Sequence, residues 1–131
     1  MIAVVAGVVR RKGRVLLCQR PEGKRFGLLW EFPGGKVEAG ESPEAALERE
    51  LREELDVETR TGRVLDALRM DSRDGGDLLL LFYESELVRG EPRTVECRAL
   101  DWALPGDVAA YDLAPADRLF LRRRPELFGA R

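Results

Sequence analysis

The chain has 131 residues, of which 44% are hydrophobic and 35% are charged, and its formal net charge is −2. These values predict one folded domain over residues 1–131 and exclude a disordered protein. The charge balance gives no electrostatic basis for binding a nucleic acid polymer. No apolar run approaches the ~18 residues of a membrane-spanning helix and no signal peptide is evident, so we expect no membrane partner and a cytoplasmic location.

Histidine, the side chain that most often acts as a general base, is absent from the chain. A general base must therefore be a carboxylate, Lys, Tyr or Cys, and a zinc site with histidine ligands is ruled out. Cys18 and Cys97 lie far apart, each in an apolar stretch, and they form no CxxC motif. We expect both to be reduced, buried structural thiols.

Two strands and a glycine pair are predicted in the first part of the chain. Residues 2–11 are rich in β-branched side chains, and residues 14–20 form a second run that predicts a returning strand. A polar loop over 21–27 and a short apolar segment over 28–32 lead to Pro33-Gly34-Gly35. Adjacent glycines permit a tight turn and a close approach to a ligand, although an ordinary turn would also explain them.

A helix is predicted to begin after Ser42. The Ser42 hydroxyl is a good N-cap, and Pro43 occupies the first helical position, where its missing N–H costs nothing. Leu47, Leu51 and Leu55 recur every four residues and form a narrow apolar stripe. This stripe predicts which face of the helix packs on the core.

The same helix carries an unfavourable cluster of acids. Glu50, Glu53 and Glu54 share one face, adjoin the leucine stripe and repel one another, while Arg49 braces their flank. A solvated acidic surface is the ordinary explanation of such a face. A divalent cation at the margin of the core would instead remove the repulsion, and oxygen ligands suit Mg²⁺.

The rest of the chain is predicted to contain strands over 58–68, 78–88 and 99–103, a loop or short helix over 105–112, and a helix over 115–124. Asp74-Gly75-Gly76 is a hairpin signal between two of these strands. The apolar run over 78–83 lacks alternation, so we expect it to be covered on both faces. Two helices on a mixed sheet predict an α+β fold.

Residues 35–57 read Gly, five residues, Glu, seven residues, Arg-Glu-Leu, one residue, Glu-Glu, one residue, Asp-Val. This pattern resembles the box of the Nudix hydrolases, Gly-x5-Glu-x7-Arg-Glu-aliphatic-x-Glu-Glu-x-Gly-aliphatic. Every fixed position matches except the last Gly, where Asp56 stands. That Gly is expected to be a left-handed helix cap, a conformation that Asp tolerates better than most residues. The resemblance implies an α/β/α sandwich with a mixed sheet, the box as a loop-helix-loop, and a C-terminal helix.

Residues 29–38 and 113–117 are also similar to the MutT-type branch of that family, whose members hydrolyse nucleoside triphosphates. The resemblance implies that metal is bound by Glu50, Glu53 and Glu54, by the carbonyl of Gly34 or Gly35, and by the outlying box acid Glu41. It implies that Arg49 orients a neighbouring glutamate. Asp101 corresponds to an extra acid that serves as ligand or base in relatives, and Glu96 is its rival.

The resemblance further implies a set of substrate-binding residues, namely Arg20, Arg25, Glu31, Phe32 and Asp117. The arginines would take phosphate charge, and surface charge is the alternative explanation for them. Asp117 would read the edge of the base, or else stabilise the start of the last helix. Trp30, Phe32 and Phe82 are candidates to stack on the base or to form core.

The activity that this resemblance implies is Mg²⁺-dependent hydrolysis of a nucleoside triphosphate to a monophosphate and pyrophosphate, with Mn²⁺ as a substitute metal. An oxidised purine nucleotide such as 8-oxo-dGTP is the leading substrate, and a pyrimidine nucleotide such as CTP is its rival. Glu53 is the first candidate for the base and Asp101 the second. A non-catalytic nucleotide-sensing module is the alternative class. We expect a monomer or homodimer whose partner is a small nucleotide.

Overall fold

The computed structural model describes residues 1–71 and 76–129, so the predicted hairpin signal at Asp74-Gly75 lies outside the described residues. The strands are β1 (Ile2–Arg11), β2 (Arg14–Gln19), β3 (Trp30–Glu31), β4 (Gly34–Lys36), β5 (Glu58–Asp71), β6 (Asp77–Arg89) and β7 (Ala99–Ala103). The α-helices are α1 (Pro43–Leu55) and α2 (Pro115–Arg123), and two 3₁₀ helices span Pro105–Ala110 and Pro125–Phe128.

The described strands form one mixed sheet with the order β3-β2-β1-β6-β5, while β4 pairs with β1 and β7 pairs with β2. Strands β1 and β6 run parallel, and the other paired strands are antiparallel. The α+β fold predicted from the sequence is therefore confirmed.

Strands β1 and β2 stay together only close to the turn that joins them, at the pairs Arg10–Val15 and Arg11–Arg14. Further along, β4 takes the place beside β1, whereas β3 and β7 flank β2. The two strands of the hairpin thus diverge, and the candidate site opens in this region.

The core has two layers because side chains alternate along the sheet. Val5 and Val9 of β1 pack with the apolar side of α1, and Ala6 and Val8 pack into the cluster on the opposite face. That second cluster contains four phenylalanines, Phe32, Phe82, Phe120 and Phe128. The rings of Phe82 and Phe120 are stacked with centroids 4.1 Å apart, which joins β6 to α2. Because apolar side chains are buried on both faces of the sheet, the fold is a sandwich.

Helix α1 begins and ends as its sequence predicts. The Ser42 hydroxyl accepts a hydrogen bond from the Ala45 N–H at 3.1 Å. At the other end Asp56 adopts the left-handed conformation (φ 58°, ψ 44°) and its N–H donates to the Arg52 carbonyl at 3.0 Å. Asp56 thus fills the backbone position for which the Nudix pattern uses glycine, and the box helix keeps its exit.

The glycine pair departs from its predicted role as a tight turn. Gly34 and Gly35 lie in β4, extended beside Val5 and Ala6 of β1. A Cβ at Gly34 would lie 1.9 Å from the carbonyl oxygen of Val5, so the close pairing of these strands requires glycine there. The pair therefore allows two backbones to approach closely without reversing the chain.

The apolar run on β6 is covered from both faces, as predicted, but incompletely. Leu80 contacts the phenylalanine cluster and Leu81 contacts the α1 cluster, and both are only partly buried. A cavity beside Leu78 and Leu80 explains their residual exposure. Neither α-helix in the described part of the chain is long and apolar enough to cross a membrane.

Candidate active site

A cleft runs from the acidic side of α1 to the start of α2. It consists of three cavities of about 180, 110 and 200 Å³, and Arg20 and Glu31 line all three. We call the first the acidic end, because Glu50, Glu54 and Glu96 line it, and the third the apolar end. Larger depressions of about 290 and 470 Å³ lie elsewhere and are lined by none of the acids on the box helix face.

The acids of α1 are buried to different degrees. The side chain of Glu53 is 51% exposed and that of Glu50 only 18%, while Glu54 as a whole is 9% exposed. This gradient agrees with the predicted position of the acidic face at the margin of the core. It follows from the helical wheel, since Glu54 lies nearest to the buried side of α1.

Glu54 is the least satisfied acid in the cleft. Its Oε2 atom is buried and has no hydrogen-bond partner among the described residues. Burial, reinforced by the negative charges of Glu31, Glu50 and Glu96, raises the pKa of Glu54 to about 9. A buried, unpartnered carboxyl oxygen is costly, so its retention calls for an explanation.

Gly35 makes room for Glu50. A Cβ at Gly35 would lie 2.3 Å from the Cδ atom of Glu50 and within 2.6 Å of both its carboxylate oxygens. The carboxylate therefore rests directly against the β4 backbone. Burial raises the pKa of Glu50, and the hydrogen bond from Arg49 opposes that change.

Arg49 ties the acidic face to the loop that precedes the helix. Its Nη1 donates to Glu50 at 3.0 Å and to Glu53 at 3.3 Å, and its Nη2 donates to the Lys36 carbonyl at 2.9 Å. Its Nε and Nη2 donate to the two oxygens of Glu41 at 2.7 and 3.1 Å. These contacts agree with the predicted orienting role of Arg49, which stays a prediction.

Glu41, predicted as an outlying metal ligand, uses its carboxylate for hydrogen bonds with other groups of the protein. Both of its oxygens accept from Arg49, and Oε1 also accepts from the Glu38 N–H at 3.0 Å. The hydrogen bonds from Arg49 hold the pKa of Glu41 below its usual range. In this arrangement Glu41 positions Arg49, and it does not line the acidic end of the cleft.

The two candidates for an extra acid lie on opposite sides of the sheet. In β7 Leu100 and Trp102 face the α1 cluster, so Asp101 faces the other way and accepts a hydrogen bond from the Tyr111 hydroxyl. This placement leaves Asp101 out of the lining of the cleft, and its role as ligand or base stays a prediction. Glu96 lies at the acidic end instead, because its N–H and that of Val95 bond to the Glu54 carbonyl.

Arg20 and Glu31 form an ion pair in the middle of the cleft. Arg20 Nη1 donates to Glu31 Oε1 at 3.0 Å, and Arg20 Nε donates to the Arg25 carbonyl at 2.8 Å. Burial raises the pKa of Glu31, while the charge of Arg20 opposes this rise. Lys24 lines the acidic end and Arg25 the apolar end, so cations border the cleft along one side.

Asp117 lies buried between the middle cavity and the apolar end. Its Oδ1 accepts from the Phe32 N–H at 2.9 Å, which ties α2 to the segment that follows β3. Burial, together with the charge of Glu31, raises the pKa of Asp117 to about 8. At neutral pH this carboxyl is therefore mostly protonated and is able to donate a hydrogen bond as well as accept one.

The aromatic side chains predicted to contact substrate belong largely to the core. Phe32 and Phe82 are 2% and 1% exposed, and both pack in the phenylalanine cluster. Their burial argues against stacking on a base. Trp30 is partly buried and meets Tyr111 edge-to-face at 5.3 Å between ring centroids.

The two cysteines meet at the acidic end. Cys18 is buried as predicted, whereas Cys97 is half-buried and lines the cleft, which corrects the expectation that both are buried. A hydrogen bond between the two side chains, together with burial, raises the pKa of Cys18. Sequence spacing gave no sign of this contact, and it likewise missed Lys24 and Phe26, which border the cleft because the loop after β2 folds beside it.

The Nudix-domain family model matches residues 1–124. The chain belongs to the Nudix hydrolase family. This Nudix enzyme is 42% identical over 117 residues to the CTP pyrophosphohydrolase of Escherichia coli strain K12, a match that covers 89% of this chain and 86% of that protein. It is 43% identical over 115 residues to the putative 8-oxo-dGTP diphosphatase 2 of Mycobacterium tuberculosis, with coverage of 88% and 82%. The solution structure of the E. coli ORF135 protein matches with a TM-score of 0.85 at 39% identity, covering 100% of this chain and 93% of that one.

Nudix hydrolases generally need divalent metal ions, and the acidic end fits such an ion. The unpartnered Oε2 of Glu54 and the carboxylate of Glu50 that rests against Gly35 are hard oxygen donors in one cavity. Among the described residues no three acidic or thiol groups already converge on one point, and Glu50 and Glu53 both contact Arg49. Mg²⁺ retains several waters and often takes only one or two carboxylates, so a partial set of donors suits it.

Proposed function

We propose that this Nudix enzyme hydrolyses a nucleoside triphosphate to a nucleoside monophosphate and pyrophosphate with Mg²⁺, for which Mn²⁺ can substitute. The observation that carries the proposal is the unpartnered carboxyl oxygen of Glu54, in a cleft that has an acidic end, an apolar end and cations along one side. A nucleoside triphosphate matches this arrangement, because its metal ion would lie at the acidic end, its phosphates beside the cations and its base at the apolar end.

Glu50 and Glu54, with Glu96 beside them, would hold the cation. When bound there, a divalent cation supplies neutralisation of the phosphate charge and lowers the pKa of the attacking water. Arg49 keeps Glu50 and Glu53 in place. Glu53 is the candidate base, because its side chain is half exposed and reaches solvent at the margin of the site.

Arg20, Lys24 and Arg25 would bind the phosphates through charge-assisted hydrogen bonds. Arg20 already contacts Glu31, so a phosphate oxygen would share this guanidinium with Glu31. Lys24 lines the acidic end, Arg25 the apolar end and Arg20 the whole cleft, so a chain of phosphates could pass along this cationic side.

Asp117 would bind the edge of the base. A protonated carboxyl both donates and accepts, and an oxidised purine such as 8-oxo-dGTP offers carbonyl and N–H groups to it. This nucleotide is the leading substrate, and the similarity to a putative 8-oxo-dGTP diphosphatase supports it. CTP is the second candidate, because cytosine offers an amino group and a ring nitrogen and because a CTP pyrophosphohydrolase is similarly close.

The remaining expectations stay predictions. We propose that residues 1–131 act as a single domain, as a monomer or homodimer, without a nucleic acid polymer as partner. The alternative of a nucleotide sensor without catalysis is disfavoured because all three acids of the helix face are present.

The test is product analysis on a panel of ordinary and oxidised nucleoside triphosphates, with Mg²⁺, with Mn²⁺ and with a chelator. We expect monophosphate and pyrophosphate, formed only with metal, and a preference for 8-oxo-dGTP or for CTP that decides between the two substrates. Glu54→Gln is the matched test variant, since it keeps the size of the side chain and removes the carboxyl group that would hold the cation. Turnover that survives both the chelator and Glu54→Gln would contradict the proposal.

A further inference from the structure

The loop between β2 and β3 holds two bulky residues in an uncommon backbone conformation. Phe26 has φ 58° and Leu28 has φ 67°, in the left-handed region that side chains with a Cβ rarely adopt. The loop is closed by hydrogen bonds, from the Leu28 N–H to the Arg20 carbonyl at 3.0 Å and from the Leu29 N–H to the Phe26 carbonyl at 3.2 Å. Backbone outliers of this kind cluster at functional sites.

Phe26 and Leu28 are equally exposed, at 40% and 41%, but only Phe26 lines the apolar end of the cleft. Phe26 is the one aromatic residue among the described residues that line this cavity. Asp117 lies in the same cavity, and Leu78 and Leu80 contribute its apolar wall. The core already contains four phenylalanines, and Phe26 is not among them. Its exposed ring is therefore not needed for packing.

One face of the Phe26 ring is already occupied. The guanidinium carbon of Arg25 lies 4.6 Å from the ring centroid, in a cation–π contact. The Arg25 carbonyl accepts from Arg20 Nε at 2.8 Å, so the ring is connected to the cation that lines all three cavities. Only the second face of the ring is left to receive a flat ligand.

We propose that Phe26 is a substrate-binding residue whose ring stacks on the nucleobase while Asp117 binds the edge of that base. The inference rests on the proposed function, because it requires a nucleotide in this cleft. Base–aromatic stacking is tolerant of sequence, so Phe26 supplies affinity and Asp117 supplies selectivity. The contact with Arg25 restrains the ring before the substrate arrives, which reduces the side-chain entropy lost on binding.

The experiment compares Phe26→Ala, Phe26→Leu and Phe26→Tyr, with Leu28→Ala as the control in the same loop. Kinetics are measured on the best nucleotide of the panel, and inorganic tripolyphosphate, which has phosphates and no base, is used as a competing ligand. We expect Phe26→Ala and Phe26→Leu to raise KM about 10-fold, on the scale of one lost stacking contact, with kcat changed less than about 2-fold. Phe26→Tyr and Leu28→Ala should retain the wild-type KM.

Inhibition by tripolyphosphate separates stacking from a loop-building role. If Phe26 stacks on the base, its replacement leaves the inhibition constant of tripolyphosphate unchanged. Equal losses for nucleotide and tripolyphosphate, or an unchanged KM in Phe26→Ala, would overturn the inference. If the wild-type protein hydrolyses nothing in the panel, the proposed function fails, and calorimetry with dGMP, CMP and pyrophosphate then tests Phe26 by binding alone. In that case too, binding of the monophosphates that is absent or indifferent to Phe26→Ala overturns it.

Discussion

Gly34 and Gly35 are adjacent in β4, yet the structure predicts opposite consequences for adding one methyl group to each. At Gly35 the new Cβ would meet the Glu50 carboxyl carbon at 2.3 Å. Ordinary contact between carbon atoms is ~3.5–4.0 Å, so the carboxyl group must move by more than about 1 Å. Glu50 is a side chain that can rotate, so Gly35→Ala should fold.

The displaced group is a proposed metal ligand, which sets the expected loss of activity. A displacement of ~1 Å in a reacting constellation can cost ~10²-fold, so we expect Gly35→Ala to lower kcat/KM by about that factor. The loss should come with a higher Mg²⁺ requirement. The change in Tm should stay below ~4 °C, which corresponds to ~1 kcal/mol for a domain of this size.

Gly34→Ala meets backbone atoms instead. Its Cβ would lie 1.9 Å from the Val5 carbonyl oxygen and 2.7 Å from the Ala6 Cα, and neither can move without breaking the pairing of β4 with β1. We expect a loss of ~3 kcal/mol or more, at the upper end of overpacking costs, and a fall in Tm of ~10 °C or more.

Thermal melts by circular dichroism and pyrophosphate release measured over a range of Mg²⁺ concentrations check both variants. The reasoning is refuted if Gly35→Ala has wild-type turnover at limiting Mg²⁺. It is equally refuted if Gly34→Ala melts at the wild-type temperature, because the two close approaches would then have no energetic consequence.

Three further predictions concern individual carboxyl groups. Glu54→Gln should raise the free energy of unfolding at pH 7, because Glu54, with its pKa raised to about 9, must take up a proton on folding and Gln need not, yet it should lower metal-dependent turnover by ~10²-fold or more; a destabilisation measured by urea titration would argue against the neutral state. Glu53→Gln should lower turnover by ~10²-fold or more while leaving Mg²⁺ affinity measurable, and near-wild-type turnover would assign the base to another residue such as Glu96. Asp117→Asn should change which base is preferred more than it changes the metal requirement, and it should also alter the pH dependence of stability. Because the pKa of Asp117 is raised to about 8 in the folded protein and is ~3.9 in an unfolded chain, its contribution is fully present below ~pH 4 and is lost as pH rises through about 8. Urea titrations from pH 5 to 9 should therefore show a shallower fall in Asp117→Asn than in wild type, and parallel curves would contradict the raised pKa.

A last prediction tests the departure from the family pattern at Asp56, the left-handed cap of α1. Asp56→Gly removes the steric penalty of that conformation, worth ~1 kcal/mol, and also removes the exposed ion pair with Arg93, worth less. The net result should be a Tm that is unchanged or raised by a few degrees with unchanged turnover. A lowered Tm would mean that the ion pair contributes more than the backbone conformation costs.

The amino-acid sequence by itself determined the box helix and the chemistry that it carries. Ser42, Pro43 and the leucine stripe act through local capping and a helical repeat, so both ends of α1 and its buried face could be predicted from neighbours in the chain. The grouping of Glu50, Glu53 and Glu54 on one face is a property of helical geometry alone.

Tertiary structure decided which acids enter the cleft and what borders it. Asp101 and Glu96 are five positions apart, and the sequence favoured Asp101 with Glu96 as its rival. Strand alternation turns Asp101 to the far side of the sheet, and the segment that bonds to the Glu54 carbonyl brings Glu96 to the acidic end. The contact of Cys18 with Cys97, the glycine pair in β4 and the position of Phe26 likewise depend on how distant strands pair. Local periodicity records only the neighbours of a residue along the chain, whereas a site is assembled from residues that the sheet brings together across long separations.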